Sequence, residues 1–171
     1  MESMFRDLKA DEIDVRIAQV KKNGVSLLLY KDARVDQDIL DETVGPMNWQ
    51  RDHKELKGNI YCGISILDTT SKQWTTKWDC GKESFSEAEK GEASDSFKRA
   101  GFNWGIGREL YTAPFIWIPA DKCQIEEIKS KYVCYDKFYV SKIQIIDKKI
   151  TGLAIRNNRN DRVFVFTKEG E

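Results

Sequence analysis

Ile13, Val15 and Ile17 alternate with Asp14 and Arg16, and the alternation resumes at Val25, Leu27 and Leu29 after Asn23-Gly24. Period-two alternation on both sides of a tight-turn dipeptide predicts a β-hairpin over residues 12–30. Asp32 is placed to cap a short helix over 33–43, with Val35 and Ile39 one turn apart, and Gly45-Pro46 ends it. Residues 47–56 alternate weakly and are mostly polar, which suits an edge strand. After Lys57-Gly58-Asn59, Ile60, Cys62, Ile64 and Ile66 alternate with Tyr61, Gly63 and Ser65, the clearest strand in the chain. Beyond a loop at 68–72, Trp74, Thr76 and Trp78 share one face of a third strand. The order is that of an antiparallel meander.

The longest helix is expected to start near Ser84 or Ser86, each followed three residues on by glutamate, Glu87 and Glu89, as in a capping box. Ala93, Phe97, Ala100 and Trp104 fall on one helical stripe, the pattern of a helix packed on a sheet. Gly105-Ile106-Gly107 loosens its end. Pro114 and Pro119 bracket an extended segment, and three short strands follow at 137–146, 150–156 and 162–167. These last strands fit either a separate small meander or an extension of the first sheet. The expected class is therefore α+β: an antiparallel β-meander (the β-hairpin plus three strands) with a long helix packed across it and a C-terminal β extension. The expected division is a domain at 1–120 and a β-rich extension at 121–171, which also fits within the same domain.

An apolar fraction of 40% over 171 residues provides for a core and excludes wholesale disorder. No apolar run reaches the ~18–20 residues of a membrane helix, and the N-terminus shows no signal-peptide apolar stretch. The chain is expected to stay in the cytoplasm, away from membranes. Lysine plus arginine equals aspartate plus glutamate at 28 each, which argues against a non-specific polycation and leaves a local basic patch open. Cys62, Cys80, Cys123 and Cys134 lack C-x-x-C spacing and His53, the sole histidine, is near none of them in sequence. A zinc site is therefore not expected, and the thiols read as reduced, some of them in the core. One histidine and no Gly-x-Ser-x-Gly turn also argue against a hydrolytic triad.

On the long helix, Lys98 and Arg99 point away from the apolar stripe and straddle Phe102. Gly91, Ser94 and Gly101 leave one flank low enough for close approach. A solvated helix face, with Asp95 and Arg99 as an i, i+4 ion pair, is the simpler account of the charges on this helix alone. It leaves an outward Phe102 in want of a partner: a base, another subunit or another segment of the chain. Trp49, Trp74 and Trp78 are able to stack bases, although tryptophans on alternating strands are more often core. Arg108 is placed to reach a phosphate, or to pair with Glu109 or solvent. His53 reads as a surface residue, and Gly105-x-Gly107 follows a helix rather than opening one, so it is no dinucleotide loop.

The run Ala93-Ser94-Asp95-Ser96-Phe97-Lys98-Arg99-Ala100, followed by Trp104-Gly105-Ile106-Gly107, resembles the helix signature of the Rad52 family of single-strand annealing proteins, in particular the phage Sak type. Upstream, Arg34-Val35, a short helix and Gly45-Pro46-Met47-Asn48-Trp49 keep the family's order, and a β-β-β-α succession joins the two motifs. The likeness covers about residues 32–120. It implies a homo-oligomer, ring or helical arc, that holds single-stranded DNA in a basic groove, bases exposed for pairing. It implies a binding protein in recombination and repair, not an enzyme, with no cofactor and no ATP. Carried over by position, Arg34, Lys98 and Arg99 match the inner DNA site and Lys82 lies near a lysine of a second, outer site. Where the family often has a further basic residue, this chain has Gly101 and Phe102, and Phe102 offers a stacking surface instead. Arg108 completes the candidate DNA-binding set, and a host single-strand binding protein is a candidate partner. Two rival functions stand beside this one: a single-strand protector without annealing activity, and a small metal-dependent nuclease using Asp79, Glu83, Glu87 and Asp95.

Overall fold

The computed structural model describes residues 4–81 and 88–168. Among them the protein is α+β, with two α-helices and eleven strands, and every strand pairing is antiparallel. No helix among the described residues is long and apolar enough to cross a membrane. The chain divides into two compact units, a helix–sheet unit of residues 4–6 with Ala33–Arg108 and a β unit of Asp7–Asp32 with residues 109–168.

The hairpin forms as expected from β1 (Asp14–Lys21) and β2 (Gly24–Tyr30). Its loop is Lys22-Asn23, one residue earlier than the sequence reading places it, because Lys21 pairs with Gly24. Gly24 answers a different demand. A β-carbon there would lie 2.5 Å from the Ile118 carbonyl oxygen and the Trp117 ring, so only glycine lets those two strands close.

The helix–sheet unit begins with α1 (Ala33–Val44), which buries Asp36, Ile39 and Leu40 completely. Strands β3 (Trp49–Leu56), β4 (Asn59–Asp68) and β5 (Gln73–Cys80) follow and pair in that order. Lys57 and Gly58 turn the first connection with positive φ, 54° and 76°. Cross-strand rows Arg51–Ile64–Lys77 and His53–Cys62–Asp79 share one face of this sheet, and α2 (Ala88–Trp104) packs on it. The Trp104 indole donates to the Ile64 carbonyl at 2.9 Å, and the Ile60 amide donates to the buried Glu92 carboxylate at 2.8 Å. Phe97 and Ala100 are fully buried, as the stripe requires, while Ala93 and Trp104 are only half-buried. Glu92 and Ser96 are buried in their place. The expected starts at Ser84 or Ser86, with Glu87, lie outside the described residues, as does any account of the Glu89 side chain.

Trp74 and Trp78 do share a face, but it is the one turned away from α2, and they stay 45% and 37% exposed. A core role for them is thereby corrected: α2 covers the opposite parity of β5. Trp78 lies flat over Gly63, where a β-carbon would come within 2.6 Å of the ring, and the Lys54 ammonium sits 4.5 Å from its centroid. Trp49 does belong to the interior, half-buried with its ring 6.2 Å from Phe97 and its indole donating to Asp41 at 2.6 Å.

The hairpin does not join this meander, which corrects the single-sheet arrangement read from the sequence. Its partner is β6 (Ile116–Pro119), the Pro-bracketed segment, which pairs with β2. Long-range pairing of this kind leaves no local signature. Next comes a hairpin the alternation did not reveal, β7 (Ile125–Ile128) and β8 (Lys131–Cys134), with four residues per strand and Lys129-Ser130 at positive φ. Strands β9 (Phe138–Ile146), β10 (Lys149–Asn157) and β11 (Arg162–Thr167) form a sheet of their own, with β10 central. Of the two arrangements left open, the separate meander is the one adopted. Its inner side carries Val140, Leu153, Ile155 and the bulge residue Val163, all buried. All four cysteines are free, and burial pushes the Cys62 and Cys123 thiols up to about 11.

Candidate nucleic-acid interface

One contact between helices brings together turns that carry candidate residues of the helix–sheet unit. Gly101 of α2 faces Asp36 of α1 so closely that a β-carbon on Gly101 would lie 2.7 Å from the Asp36 Oδ1. Arg34, exposed, precedes Asp36 by two residues in the first turn of α1, and Lys98 precedes Gly101 by one turn of α2. The helical turns that carry Arg34 and Lys98 are thus neighbours although 64 positions separate them in sequence. The flank that reads as bare in the sequence is therefore filled at Gly101, which is buried, while Gly91 and Ser94 remain half-open.

Lys98, Arg99 and Phe102 are each half-buried. The expectation of an outward, exposed Phe102 is corrected accordingly. Arg99 does not take Asp95 as its ion-pair partner. Its Nε lies 3.5 Å from the Asp79 Oδ1, on the last turn-facing stretch of β5, and makes no hydrogen bond there. The cause is the seating of α2 on the sheet, which turns Arg99 toward β5. Asp79 is further engaged by the Cys80 amide at 2.7 Å and by the Asn103 side-chain amide at 3.3 Å. A carboxylate held by three groups of the fold is poorly placed to serve a metal. Among the described residues, no three His, Cys, Asp or Glu side chains are grouped to hold a metal ion. Glu83, Glu87 and Lys82 lie outside the described residues.

Arg108 is exposed and turns back on α2. It donates to the Phe102 carbonyl at 3.1 and 2.8 Å and to the Asn103 carbonyl at 3.4 Å. Lys77 donates to the same Asn103 carbonyl at 3.0 Å and lies over the Trp104 ring at 4.5 Å. Carbonyls of a last helical turn have no intrahelical donor and carry partial negative charge, so two cations satisfy them here. Arg108 is a helix cap whose remaining edge faces solvent. Lys77 and Arg51, whose guanidinium lies 4.9 Å from the Phe97 centroid, are cations the sequence reading passed over. Strand parity was the available signal, since both fall on the face opposite Lys54 and Trp78. His53 is exposed, as expected, with Nε2 3.4 Å from the Ala93 carbonyl.

A sequence model described as the Rad52/22 family double-strand break repair protein matches residues 3–126. The chain belongs to the Rad52/22 family. The match extends the resemblance of residues 32–120 in both directions and ends within β7, so β9, β10 and β11 lie beyond it. The single-stranded DNA-binding protein DdrA of Deinococcus radiodurans is 34% identical to this chain over 101 residues. That alignment covers 56% of this chain and 45% of DdrA, less than half of the relative's length.

Proposed function

We propose that this Rad52/22-family chain binds single-stranded DNA and promotes the pairing of complementary strands without ATP, as a homo-oligomer acting in recombination and repair. The observation that carries the reading is the Asp36–Gly101 contact, which sets the turn bearing Arg34 beside the turn bearing Lys98 and Arg99. Cations on adjacent helical turns neutralise successive phosphates, and phosphate contacts position a strand without reading its sequence. Base edges are then left free, as pairing demands. The DNA-binding set of this proposal is Arg34, Lys98, Arg99 and Phe102, with Arg108 on its open edge and Lys82 from the outer site. The reading calls for a side-by-side array of subunits, because one short chain offers too little groove to hold a strand while it searches for its complement.

The test is incubation of the protein with two labelled complementary oligonucleotides, with magnesium and without. Accelerated pairing supports the proposal. Retarded pairing with tight single-strand binding favours the protector, and cleavage in magnesium favours the nuclease. Light scattering with and without DNA checks the assembly, and a monodisperse monomer in both would remove the array from the reading.

A further inference from the structure

We propose that the outer face of the β9–β10–β11 sheet is a second contact surface for single-stranded DNA, separate from the Rad52/22-matched residues. The inference rests on the single-strand reading above and adds a site to it. The three strands contain Lys142, Lys149, Arg156 and Arg162 and no aspartate or glutamate. Register assigns three of these cations to one side. Tyr139, Arg156 and Arg162 form one cross-strand row, and Lys142, Ala154 and Val165 form the next. Gln144, Gly152 and Thr167 make the third row, so beyond Arg156 the central strand presents only Ala154 and Gly152 to this face, with the Gln144 side chain beside Gly152. The buried residues Val140, Leu153 and Ile155 point to the other side.

Arg156 and Arg162 are direct cross-strand neighbours, an arrangement of like charges that destabilises a sheet. A shared anion relieves it. Neither Lys142 nor Arg162 has an ion-pair or hydrogen-bond partner among the described residues, and both are exposed. Tyr139 and Arg156 are held in place by one residue: the Tyr139 hydroxyl donates to the Asn160 Oδ1 at 2.6 Å, and the Arg156 guanidinium donates to the Asn160 carbonyl at 2.6 Å. A fixed aromatic ring beside cations, on a sheet with small central residues, suits a strand that lays phosphates on the cations and stacks a base on the ring. Asp11 and Asp14 border the cleft beside Tyr139 and Arg156, so the strand reaches the Tyr139 ring from the side of Lys142 and Arg162.

The experiment compares the full chain with its Lys142→Ala/Arg162→Ala variant in titrations of a labelled thirty-residue oligothymidine at several salt concentrations. Each phosphate contact on a single strand contributes about 0.7 to the slope of log affinity against log salt. The variant should lose about 1.4 of slope and bind several-fold more weakly near 0.1 M salt, with its unfolding midpoint equal to or above that of the wild type and its assembly state unchanged. Tyr139→Ala should also bind more weakly. Equal affinity and slope in a folded Lys142→Ala/Arg162→Ala protein, while Lys98→Ala/Arg99→Ala is weakened, overturns this surface and leaves the single-strand reading standing. Dissociation of the assembly with single-strand affinity per chain retained assigns the face to a contact between copies and also overturns it. A wild-type protein that binds no oligothymidine removes both readings.

Discussion

Asp36, fully buried on α1, has its Oδ1 only 2.7 Å from the place a β-carbon would take on Gly101 of α2. Gly101→Ala must therefore part the two helices or displace a buried carboxylate. Alanine improves helix propensity by about 1 kcal/mol over glycine, while overpacking a closed interior costs about 1–3 kcal/mol. The net expectation is a destabilisation of about 1 kcal/mol by urea unfolding, with weaker single-strand binding because Arg34 moves relative to Lys98. A stabilised variant with unchanged binding would contradict the role given to this contact.

Lys98→Ala should flatten the salt slope of single-strand binding by about 0.7, the contribution of one phosphate contact. Arg99→Ala should exceed that, because it leaves Asp79 without its ion pair and facing the strand. Asp79→Ala in the Arg99→Ala background should recover the excess, whereas Asp95→Ala should not. Filter-binding titrations of the four variants at several salt concentrations provide the comparison. Recovery by Asp95→Ala instead would return the pairing to the helix itself.

Phe102→Ala is expected to lower single-strand affinity by roughly 1–3 kcal/mol, the range for a base stacked on an aromatic ring, with the assembly intact. Its half-buried ring belongs to α2, one turn beyond Lys98, on the residue whose carbonyl Arg108 caps. Light scattering on the sample used for binding separates the two roles. Loss of assembly before loss of binding would make Phe102 a contact between subunits.

The buried Glu92 accepts the Ile60 amide and so ties the early turns of α2 to the start of β4. Glu92→Ala strands that donor and should cost about 1–3 kcal/mol. Glu92→Gln keeps a carbonyl oxygen in place and should recover most of the loss. Chemical denaturation of the two variants tests this, and equal destabilisation would mean that packing of the side chain, not its acceptor, matters.

Asp136 connects acid sensitivity to the β unit. Burial pushes its carboxyl up, but the Arg159 guanidinium at 2.9 and 3.3 Å and the Gln124 amide at 2.9 Å outweigh that and hold it below the ordinary range. A carboxylate with a lowered folded pKa contributes stability above its unfolded value, about 3.9, and loses it as pH falls through the folded value. Asp136→Asn should therefore cost about 1–2 kcal/mol at pH 7, toward the low end for a charged hydrogen bond because Arg159 is open to solvent. The gap to wild type should narrow at pH 3. A gap of the same size at both pH values would show that the charge is not its source.

The local elements were legible in the sequence because each is written by neighbours. Period-two alternation through Ile60, Cys62, Ile64 and Ile66 marked β4, and the stripe through Phe97 and Ala100 marked α2. Lys98 and Arg99 were singled out as an off-stripe pair, and the family resemblance drawn from the run around them is borne out at the level of the family by the match over 3–126. What the pattern could not give was which side of each strand would be covered. Trp74 and Trp78 had the parity of a core face and took the solvent side, since parity says that residues share a face and not which face meets α2. The pairing of β2 with β6, the separate β9–β10–β11 sheet, the Arg99–Asp79 ion pair and the closure of Asp36 on Gly101 all join residues far apart in sequence or on different elements. Such contacts are chosen by the fit of one surface against another, a property of the assembled fold. Propensity and periodicity act over a few residues, so they fixed the elements and left the assembly to tertiary packing.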